Sequence, residues 1–388
     1  MAEVKTFTKI LASFAFLALA ACDPTITNTS SEPEVDISKP VTVALLVPLG
    51  TGEEQNEAIA QSLVNAARMA EQDLSGVEID LNVYATGGDT AAAAEAAKKA
   101  IDEGAQIIVG PLFGTAASGV APIAAESGVK VLSFSNNSEI AGNNVYLLGL
   151  TFENSADKLV GYAASRGLDK VGIIQSEGLA GDQGRRAIEA AAAKNNAQVV
   201  ASVKYPASIA GIANASSSMA TTLKDAGANT VMLTTGQGYA YVVENMRGLG
   251  LRDEVQYLSL PRWDAVSSSA TQPGLQGTWF AAPSPGLTAQ FDSRYQSSFG
   301  KSAHPLASLA YDGMAVVGAL VKEAAAEGAD DPFSDERLTQ RSGFAAINGA
   351  IRFQSNGLSE RALAIFQIAD GEMTVIAPAS GGFTAGGS

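Results

Sequence analysis

Two groups of polar residues follow predicted strands at points where a small ligand could bind. Gly114 and Thr115 come after a short apolar run and begin a predicted helix, so their amide groups can bind an anion. Ser135, Asn136 and Asn137 follow the next apolar run and supply hydrogen-bond donors and acceptors. Serine and asparagine also serve as ordinary turn and cap residues, and this alternative stays open. We take the five positions as candidate cleft residues.

The residue types that catalysis and metal binding require are scarce. His304 is the only histidine and precedes a proline that would begin a helix. It could be a base or a ligand, but we favour an ordinary loop or helix N-terminal position, and one histidine cannot build a three-histidine metal site. The motifs G-x-S-x-G, G-x-x-x-x-G-K-[ST] and G-x-G-x-x-G do not occur. We therefore expect a protein that is not an enzyme and that carries no cofactor and no metal.

The only cysteine, Cys22, directly follows an apolar run of 12 residues, Ile10–Ala21, which is preceded by Lys5 and Lys9. Because a membrane-spanning helix needs about 20 residues, this run indicates a signal peptide over residues 1–21. The sequence Leu-Ala-Ala-Cys resembles the lipobox of bacterial lipoproteins, which implies a lipid on the Cys22 sulfur. The alternative is a buried core cysteine after an ordinary signal peptide.

The lipid would anchor the protein to a membrane at the periplasmic face of the cell envelope, and the choice of inner or outer membrane stays open. Residues 22–40, rich in Pro, Ser and Thr, would form the lipidated N-terminus and a flexible tether. Residues 379–388 are rich in glycine and are expected to be a disordered tail. The formal net charge of −15 repels phosphate backbones, so nucleic acid is not an expected partner.

From residue 41 onward, short apolar runs alternate with longer segments of helical periodicity. This alternation is typical of parallel sheets covered by helices on both faces, and it restarts near residue 155. It predicts two doubly wound α/β lobes with a cleft between them. Strands are predicted at Val41–Val47, Val77–Val83, Gln106–Val109, Lys130–Ser133, Lys170–Ile174, Gln198–Val203, Thr230–Leu233, Gln256–Leu260 and Thr278–Ala282. Hairpins are predicted at the end, over Ile351–Phe353, Leu363–Ala369 and Met373–Ile376, with a turn at Ser355–Gly357.

Four segments resemble the type I periplasmic binding proteins of the leucine/isoleucine/valine-binding kind. They are IIVGPL at Ile107–Leu112, AAESGVKVLS at Ala124–Ser133, LAYDG at Leu309–Gly313 and NGAIRFQSNG at Asn348–Gly357. The resemblance implies three crossovers between the lobes, near residues 150–154, 282–286 and 344–350. The first lobe would then comprise residues 41–150 and 286–344, and the second lobe 154–282 and 350–378.

The resemblance also implies a ligand cleft. Several positions of this chain differ from the family pattern, and these differences affect which ligand the cleft can bind. Amino-acid receptors of this family bind the ligand carboxylate with a serine where this chain has Gly114, and they have a threonine where it has Asn137. They face the ligand ammonium with an acidic residue, whereas this chain has Pro261-Arg262-Trp263-Asp264. A guanidinium there would reverse the sign of that interaction, unless Asp264 takes the role or Arg262 lies on the surface. The candidates in the second lobe are Gln237, Tyr239, Arg262, Trp263 and Asp264.

A second branch of the same family, the short penicillin-binding-protein activator lipoproteins, is the more similar in three segments. These are VALLVPLG at Val43–Gly50, LSFSNN at Leu132–Asn137 and PRWD at Pro261–Asp264. The resemblance implies an activator that contacts a peptidoglycan synthase, although the chain lacks the helical repeat domain of the longer activators. The alternative is the substrate-binding receptor of an ABC transporter for amino acids or a related small polar solute, with an ABC permease as its partner.

Overall fold

The computed structural model describes residues 35–36, 38–234, 238–251, 255–264 and 267–383. The signal peptide, Cys22 and Gln237 lie outside the described residues, as do most of the tether and residues 384–388. Within the described ranges, no helix combines the length and the apolar character needed to cross a bilayer.

The first lobe is built on a sheet of five parallel strands in the spatial order β2-β1-β3-β4-β5. The strands and their intervening helices are β1 (Val41–Val47), α1 (Glu54–Asp73), β2 (Ile79–Ala85), α2 (Thr90–Asp102), β3 (Ile107–Val109), α3 (Gly114–Glu126), β4 (Lys130–Ser133) and β5 (Val145–Leu147). A 3₁₀ turn, Ser138–Ile140, lies between the last two strands.

Strand β1 shows why this segment is apolar at nearly every position. Val43, Leu45 and Val47 point into the core shared with α1, and Ala44 and Leu46 point into the core shared with α2. Both faces of the strand are therefore buried by helices, and an alternating pattern would leave polar groups in one core.

The second lobe repeats the construction with a larger sheet. Its first elements are α4 (Phe152–Ala164), β6 (Lys170–Ser176), α5 (Leu179–Lys194), β7 (Gln198–Tyr205), α6 (Ile209–Asp225), β8 (Thr230–Leu233), α7 (Tyr239–Gly248), β9 (Gln256–Ser259) and β10 (Trp279–Ala282). The 3₁₀ turns Ser267–Thr271 and Pro273–Leu275 precede β10. Helices α4 and α5 cover one face of this sheet, and α6 and α7 cover the other.

The C-terminal elements are divided between the lobes. They are α8 (Pro285–Phe299), α9 (Ala307–Glu327), α10 (Asp335–Leu338), β11 (Ile351–Phe353), β12 (Ser359–Arg361), β13 (Ala364–Ala369) and β14 (Glu372–Ala377). Strands β13 and β14 extend the second sheet antiparallel, in the order β14-β13-β10-β9-β8-β6-β7. Helix α9 packs closely on the first sheet, since a Cβ on Gly313 would lie 2.7 Å from Cγ1 of Val109.

The hairpin of β11 and β12 corrects one predicted boundary. The sequence predicts that residues from 350 onward belong to the second lobe, but Ile351 and Phe353 lie in the core of the first lobe. Phe353 packs edge-on against Tyr146, with ring centroids 5.5 Å apart, and the amide of Leu147 donates to the Gly357 carbonyl. The chain therefore reaches the second sheet only after β12, later than the predicted crossover at 344–350.

The architecture otherwise confirms the predicted fold class, two parallel-dominated α/β lobes. The chain leaves the first sheet after β5, returns from β10 to α8, and leaves again after β12. The three passages bring the carboxyl ends of both sheets to the same region. That region is where open α/β sheets bind ligands.

Candidate functional site

A cavity of about 400 Å³ lies between the two lobes. Its volume falls in the range of small-molecule sites, at the small end. Its lining residues come from both sheets and from the passages between them: Ile59, Leu112, Phe113, Phe134, Asn136, Leu148, Gly149, Leu150, Thr151, Phe152, Ser155, Leu260, Pro261, Arg262, Pro283, Pro305, Leu306, Leu309, Asn348 and Arg361.

The walls of the cavity are mainly apolar. Phe113 and Phe134 contribute rings from the first lobe, and Phe152 contributes a third ring from the first turn of α4. Leu260 closes the side formed by the second lobe, directly after β9. A ligand that fills this space would therefore bury an aliphatic or aromatic body.

On the second lobe, two hydrogen bonds stabilise the turn that brings Arg262 to the cavity. Arg262 follows β9 in a turn that Ser259 stabilises, because the Ser259 hydroxyl donates to the Pro261 carbonyl at 3.0 Å. The indole Nε1 of Trp263 donates to the same hydroxyl at 2.9 Å, and its ring packs edge-on against Tyr239. Trp263 thus stabilises the backbone conformation of the turn that carries Arg262.

The guanidinium of Arg262 is paired with Asp264 through one of its edges. Nε donates to Oδ1 at 3.0 Å and Nη2 to Oδ2 at 2.6 Å, with the two side chains 30% and 27% exposed. Asp264 lines a neighbouring polar cavity of about 500 Å³ and is not among the residues that line the apolar one. Arg262 lines both cavities, so within the apolar cavity the pair contributes its cation alone.

A second arginine, Arg361 at the end of β12, lines the same cavity and is fully buried. Its Nη1 donates to the Gly349 carbonyl at 3.2 Å and lies 3.4 Å from Oδ2 of Asp312, and its Nη2 donates to the Leu148 carbonyl. Its Nε–H has no hydrogen-bond partner among the described residues. Arg361 therefore ties together two of the passages between the lobes.

Asp312 on α9 completes this buried network. Its carboxylate accepts from the Ile347 amide at 2.6 Å and from the Asn348 side chain at 2.9 Å. Burial raises the pKa of Asp312, while the charge of Arg361 and the hydrogen bonds from Asn348 and Ile347 act in the opposite direction. The network joins α9 to the passages around Leu148 and Asn348.

The predicted residues of the first lobe are close together, but only Asn136 lines the apolar cavity. The Ser135 hydroxyl accepts from the Asn137 amide at 3.1 Å, and a Cβ on Gly114 would lie 3.5 Å from that hydroxyl. Thr115 is exposed on the first turn of α3. The turn and cap chemistry that the sequence left open therefore accounts for the Ser135 contact.

Two contacts connect this group to helix α5 of the other lobe. Asn137 Oδ1 accepts from Nε2 of Gln183 at 3.2 Å, and Glu139 pairs with Arg186 at 2.9 Å. Asn137 thus contacts the opposite lobe across the opening instead of lining the cavity.

Two aromatic candidates of the second lobe are structural. Tyr239 is fully buried, its hydroxyl lies 3.4 Å from the Thr278 hydroxyl, and burial raises its pKa. It cannot contact a ligand in the cavity, because the rest of the second lobe's core covers it. Trp263 supports Arg262 without lining the cavity itself.

His304 lies in the adjoining polar cavity, where its Nδ1 accepts from the Leu306 amide at 3.2 Å. Burial lowers its pKa, so the imidazole favours the neutral form. No group of three or more metal-binding side chains occurs within the described ranges.

Sequence reasoning missed most of the cavity lining. The three phenylalanines read as strand-end or helix-start residues, and Arg361 reads as one polar position of a hairpin. The sequence did point to Arg262, the basic residue in Pro261–Asp264, because it follows the carboxyl end of a strand.

The family model described as "Periplasmic binding protein" matches residues 40–372. The chain belongs to the periplasmic binding protein family. This confirms the family expected from the sequence, and it supports a periplasmic location and a binding role. No curated protein matches the chain.

Solved periplasmic binding proteins share the fold at low identity. A putative branched-chain amino acid ABC transporter protein from Rhodospirillum rubrum is 17% identical, with a TM-score of 0.73 over 87% of this chain and 100% of that one. A substrate-binding protein from Desulfitobacterium hafniense in complex with Leu is 15% identical, with a TM-score of 0.63 over 87% and 100%. A solute-binding protein from Rhodopseudomonas palustris in complex with 3,4-dihydroxybenzoic acid is 18% identical, with a TM-score of 0.59 over 89% and 98%. At these identities the likeness shows the fold alone.

Proposed function

We propose that the protein is the solute receptor of an ABC importer and that it binds a small organic solute in the apolar cavity between its lobes. The observation that carries the proposal is the position of that cavity. It lies at the carboxyl ends of both sheets and is lined by residues from all three passages, so a bound ligand would contact every segment that has to move when the lobes close.

The comparisons support this proposal over the synthase activator that the sequence favoured. The solved relatives are solute-binding proteins of ABC transporters, in complex with leucine in one case and with a dihydroxybenzoic acid in another. Both ligands are small molecules that carry a carboxylate and an apolar body. A cavity of about 400 Å³ with mainly apolar walls suits a ligand of that size.

A solute screen by thermal and chemical unfolding of the full chain tests the receptor role. A ligand at 100 times its dissociation constant adds about 2.7 kcal/mol to the free energy of unfolding. Leu306→Trp should remove that increment, because Leu306 lines the cavity mouth and a larger side chain obstructs it.

Leu249→Trp is the matched control, since Leu249 is 39% exposed, close to the 36% of Leu306, and lies outside the cavity lining. It should respond to the ligand as the unsubstituted chain does. A screen of organic acids, amino acids, amides and nucleosides that shifts nothing would contradict the proposal. Copurification with a peptidoglycan synthase, together with no response to any solute, would favour the activator role instead.

We also propose that the receptor is held at the membrane by an acyl chain on Cys22. The support is the lipobox-like sequence at the end of the apolar run. Growth with a labelled fatty acid should label the full chain, and Cys22→Ser should abolish the label. Labelling that survives Cys22→Ser would contradict the anchor.

A further inference from the structure

We infer that the ligand is an anion without an ammonium group, a monocarboxylate with an aliphatic or aromatic body, and that Arg262 binds its carboxylate. This inference rests on the receptor role proposed above and narrows the class of solute. It departs from amino-acid recognition, which needs opposite charges on two sides of the ligand.

The first argument is the geometry of the Arg262 guanidinium. A guanidinium has five N–H groups, and Asp264 takes the edge formed by Nε and Nη2. The remaining edge, formed by Nη1 and the second Nη2 hydrogen, has no partner among the described residues. That edge is a planar fork that matches the two oxygens of a carboxylate.

The second argument is the charge of the cavity. Its described lining contains two arginines, Arg262 and Arg361, and neither aspartate nor glutamate. The acids Asp264 and Asp292 line the neighbouring cavity, which shares Arg262 with this one, and Asp264 already accepts from two N–H groups of Arg262. A ligand ammonium would therefore lose its water without gaining a counter-charge, which is costly in an apolar site.

The third argument is the unpartnered Nε–H of the fully buried Arg361. Buried polar hydrogens are nearly always paired in folded proteins, so this one requires an explanation. Burial lowers the pKa of Arg361, whereas the charge and hydrogen bond of Asp312 act in the opposite direction. Because Arg361 and Arg262 line the same cavity, an anion bound there would supply an acceptor beside this unpartnered N–H.

The remaining lining defines the body of the ligand. The side chains of Phe113, Phe134, Phe152 and Leu260 offer rings and methyl groups and no hydrogen-bonding atoms. A branched aliphatic chain or a single aromatic ring buries its apolar surface against them. Both Nη groups of Arg361 already donate to protein oxygens, so Arg262 offers the one free guanidinium edge among the described lining residues. We therefore infer one carboxylate only.

Calorimetric titration of the full chain with two matched sets of ligands tests the inference. The aliphatic set is 4-methylpentanoate, leucine and 4-methylpentanamide, and the aromatic set is 3-phenylpropanoate, phenylalanine and 3-phenylpropanamide. Within each set the skeleton is constant, and only the ammonium or the carboxylate changes. The acid of at least one set should bind about 10-fold or more tightly than its amino acid and its amide.

Three variants separate the roles of the two charges. Arg262→Gln should weaken binding of the acid by about 10- to 100-fold and remove its advantage over the amide. Asp264→Asn should bind the acid as tightly as the unsubstituted chain or more so. Arg294→Gln is the control and should leave binding unchanged, because Arg294 also pairs with an aspartate, Asp73, at 2.7 Å, but on the first lobe outside the cavity.

The outcomes distinguish this inference from the receptor role. If leucine or phenylalanine binds more tightly than the acid, and this binding is lost in Asp264→Asn, the inferred ligand class is wrong but the receptor role stands. Equal binding of acid and amide would lead to the same conclusion. No binding of any of the six ligands would overturn the ligand class, and the broader solute screen then decides the receptor role by itself.

Discussion

Two arginine–aspartate pairs lie at the cavity and differ in how firmly they are held. Arg361 and Asp312 are fully buried, and Arg361 is also bound to carbonyls of two passages between the lobes. Arg262 and Asp264 are about 30% exposed, lie two residues apart in one turn, and leave one edge of the guanidinium unoccupied. The first pair is suited to hold the passages together, and the second to exchange water for a ligand.

This difference shows why the type of residue alone does not identify a binding group. Both pairs consist of the same two side chains, and both arginines line the same cavity. What separates them is the number of partners that each guanidinium has within the fold. Two substitutions test this difference directly, and two more test weaker ion pairs elsewhere in the molecule.

The largest effect is expected from Arg361→Met. The substitution leaves the Asp312 carboxylate buried without its cation, which typically costs 3–5 kcal/mol, so we expect a loss of about that size in the free energy of unfolding. Chemical denaturation of the full chain measures it. The double variant Asp312→Asn with Arg361→Met should recover part of the loss, because no charge is then left buried. A loss below about 1 kcal/mol in Arg361→Met would show that the buried pair does not hold the passages.

A smaller effect is expected from Asp264→Asn in the absence of ligand. Its pair is partly exposed and makes local contacts only, so the free energy of unfolding should fall by about 1 kcal/mol or less. The same denaturation experiment measures it beside Arg361→Met. A loss as large as that of Arg361→Met would mean that Asp264 holds the fold, and the contrast between the two pairs would fail.

Glu139→Gln should act on the opening between the lobes more than on stability. Glu139 and Arg186 are each 52% exposed, so their contact across the opening is worth about 0.2–1 kcal/mol. We expect the ratio of closed to open molecules to fall by up to about 5-fold, measured by small-angle X-ray scattering. Glu153→Gln, on α4 and outside this contact, is the control. An unchanged scattering profile in Glu139→Gln would show that the contact does not bias closure.

The smallest effect concerns the surface pair of Arg294 and Asp73. Burial, the largest single influence, raises the pKa of Asp73, but the hydrogen bonds from Tyr311 and Arg294 and the charge of Arg294 together hold that pKa below its usual value. A lowered carboxyl pKa stabilises the fold above the unfolded value of about 3.9 and loses that contribution as the pH falls through the folded value.

Asp73→Asn should therefore reduce the loss of stability below about pH 4 by a few tenths of a kcal/mol. Denaturation midpoints at pH 3 and pH 7 measure the change. An Asp73→Asn chain that loses more stability on acidification than the unsubstituted chain would reverse the sign of this prediction.

The fold was predictable because its signals are local and redundant. Val41–Val47 is apolar at nearly every position since helices bury both of its faces, and a strand of this kind cannot be mistaken for a half-exposed one. The hairpin boundary was not predictable. Phe353 joins the first lobe through contacts with Tyr146 and Phe344. Tyr146 is far from Phe353 in sequence, and the segment between Phe344 and Phe353 is too short to show a periodic pattern.

The site was predictable only in part. Arg262 stood out because it replaces an acidic residue that the resemblance implies, and the structure places it at the cavity. Tyr239 has the hydroxyl group of a ligand-binding tyrosine, but the sequence does not show that Trp263 and Thr278 pack against it. Arg361 became recognisable only through its buried contacts with Asp312 and Leu148.

A crystal structure of the full chain with 4-methylpentanoate or 3-phenylpropanoate would show directly whether Arg262 binds the carboxylate. We predict density for the ligand in the apolar cavity, with its carboxylate on the unoccupied edge of Arg262, at hydrogen-bond distances of about 2.7–2.9 Å, and its body against Phe134 and Phe152. Ligand density in the polar cavity beside His304, or a carboxylate turned away from Arg262, would rule out this role for Arg262.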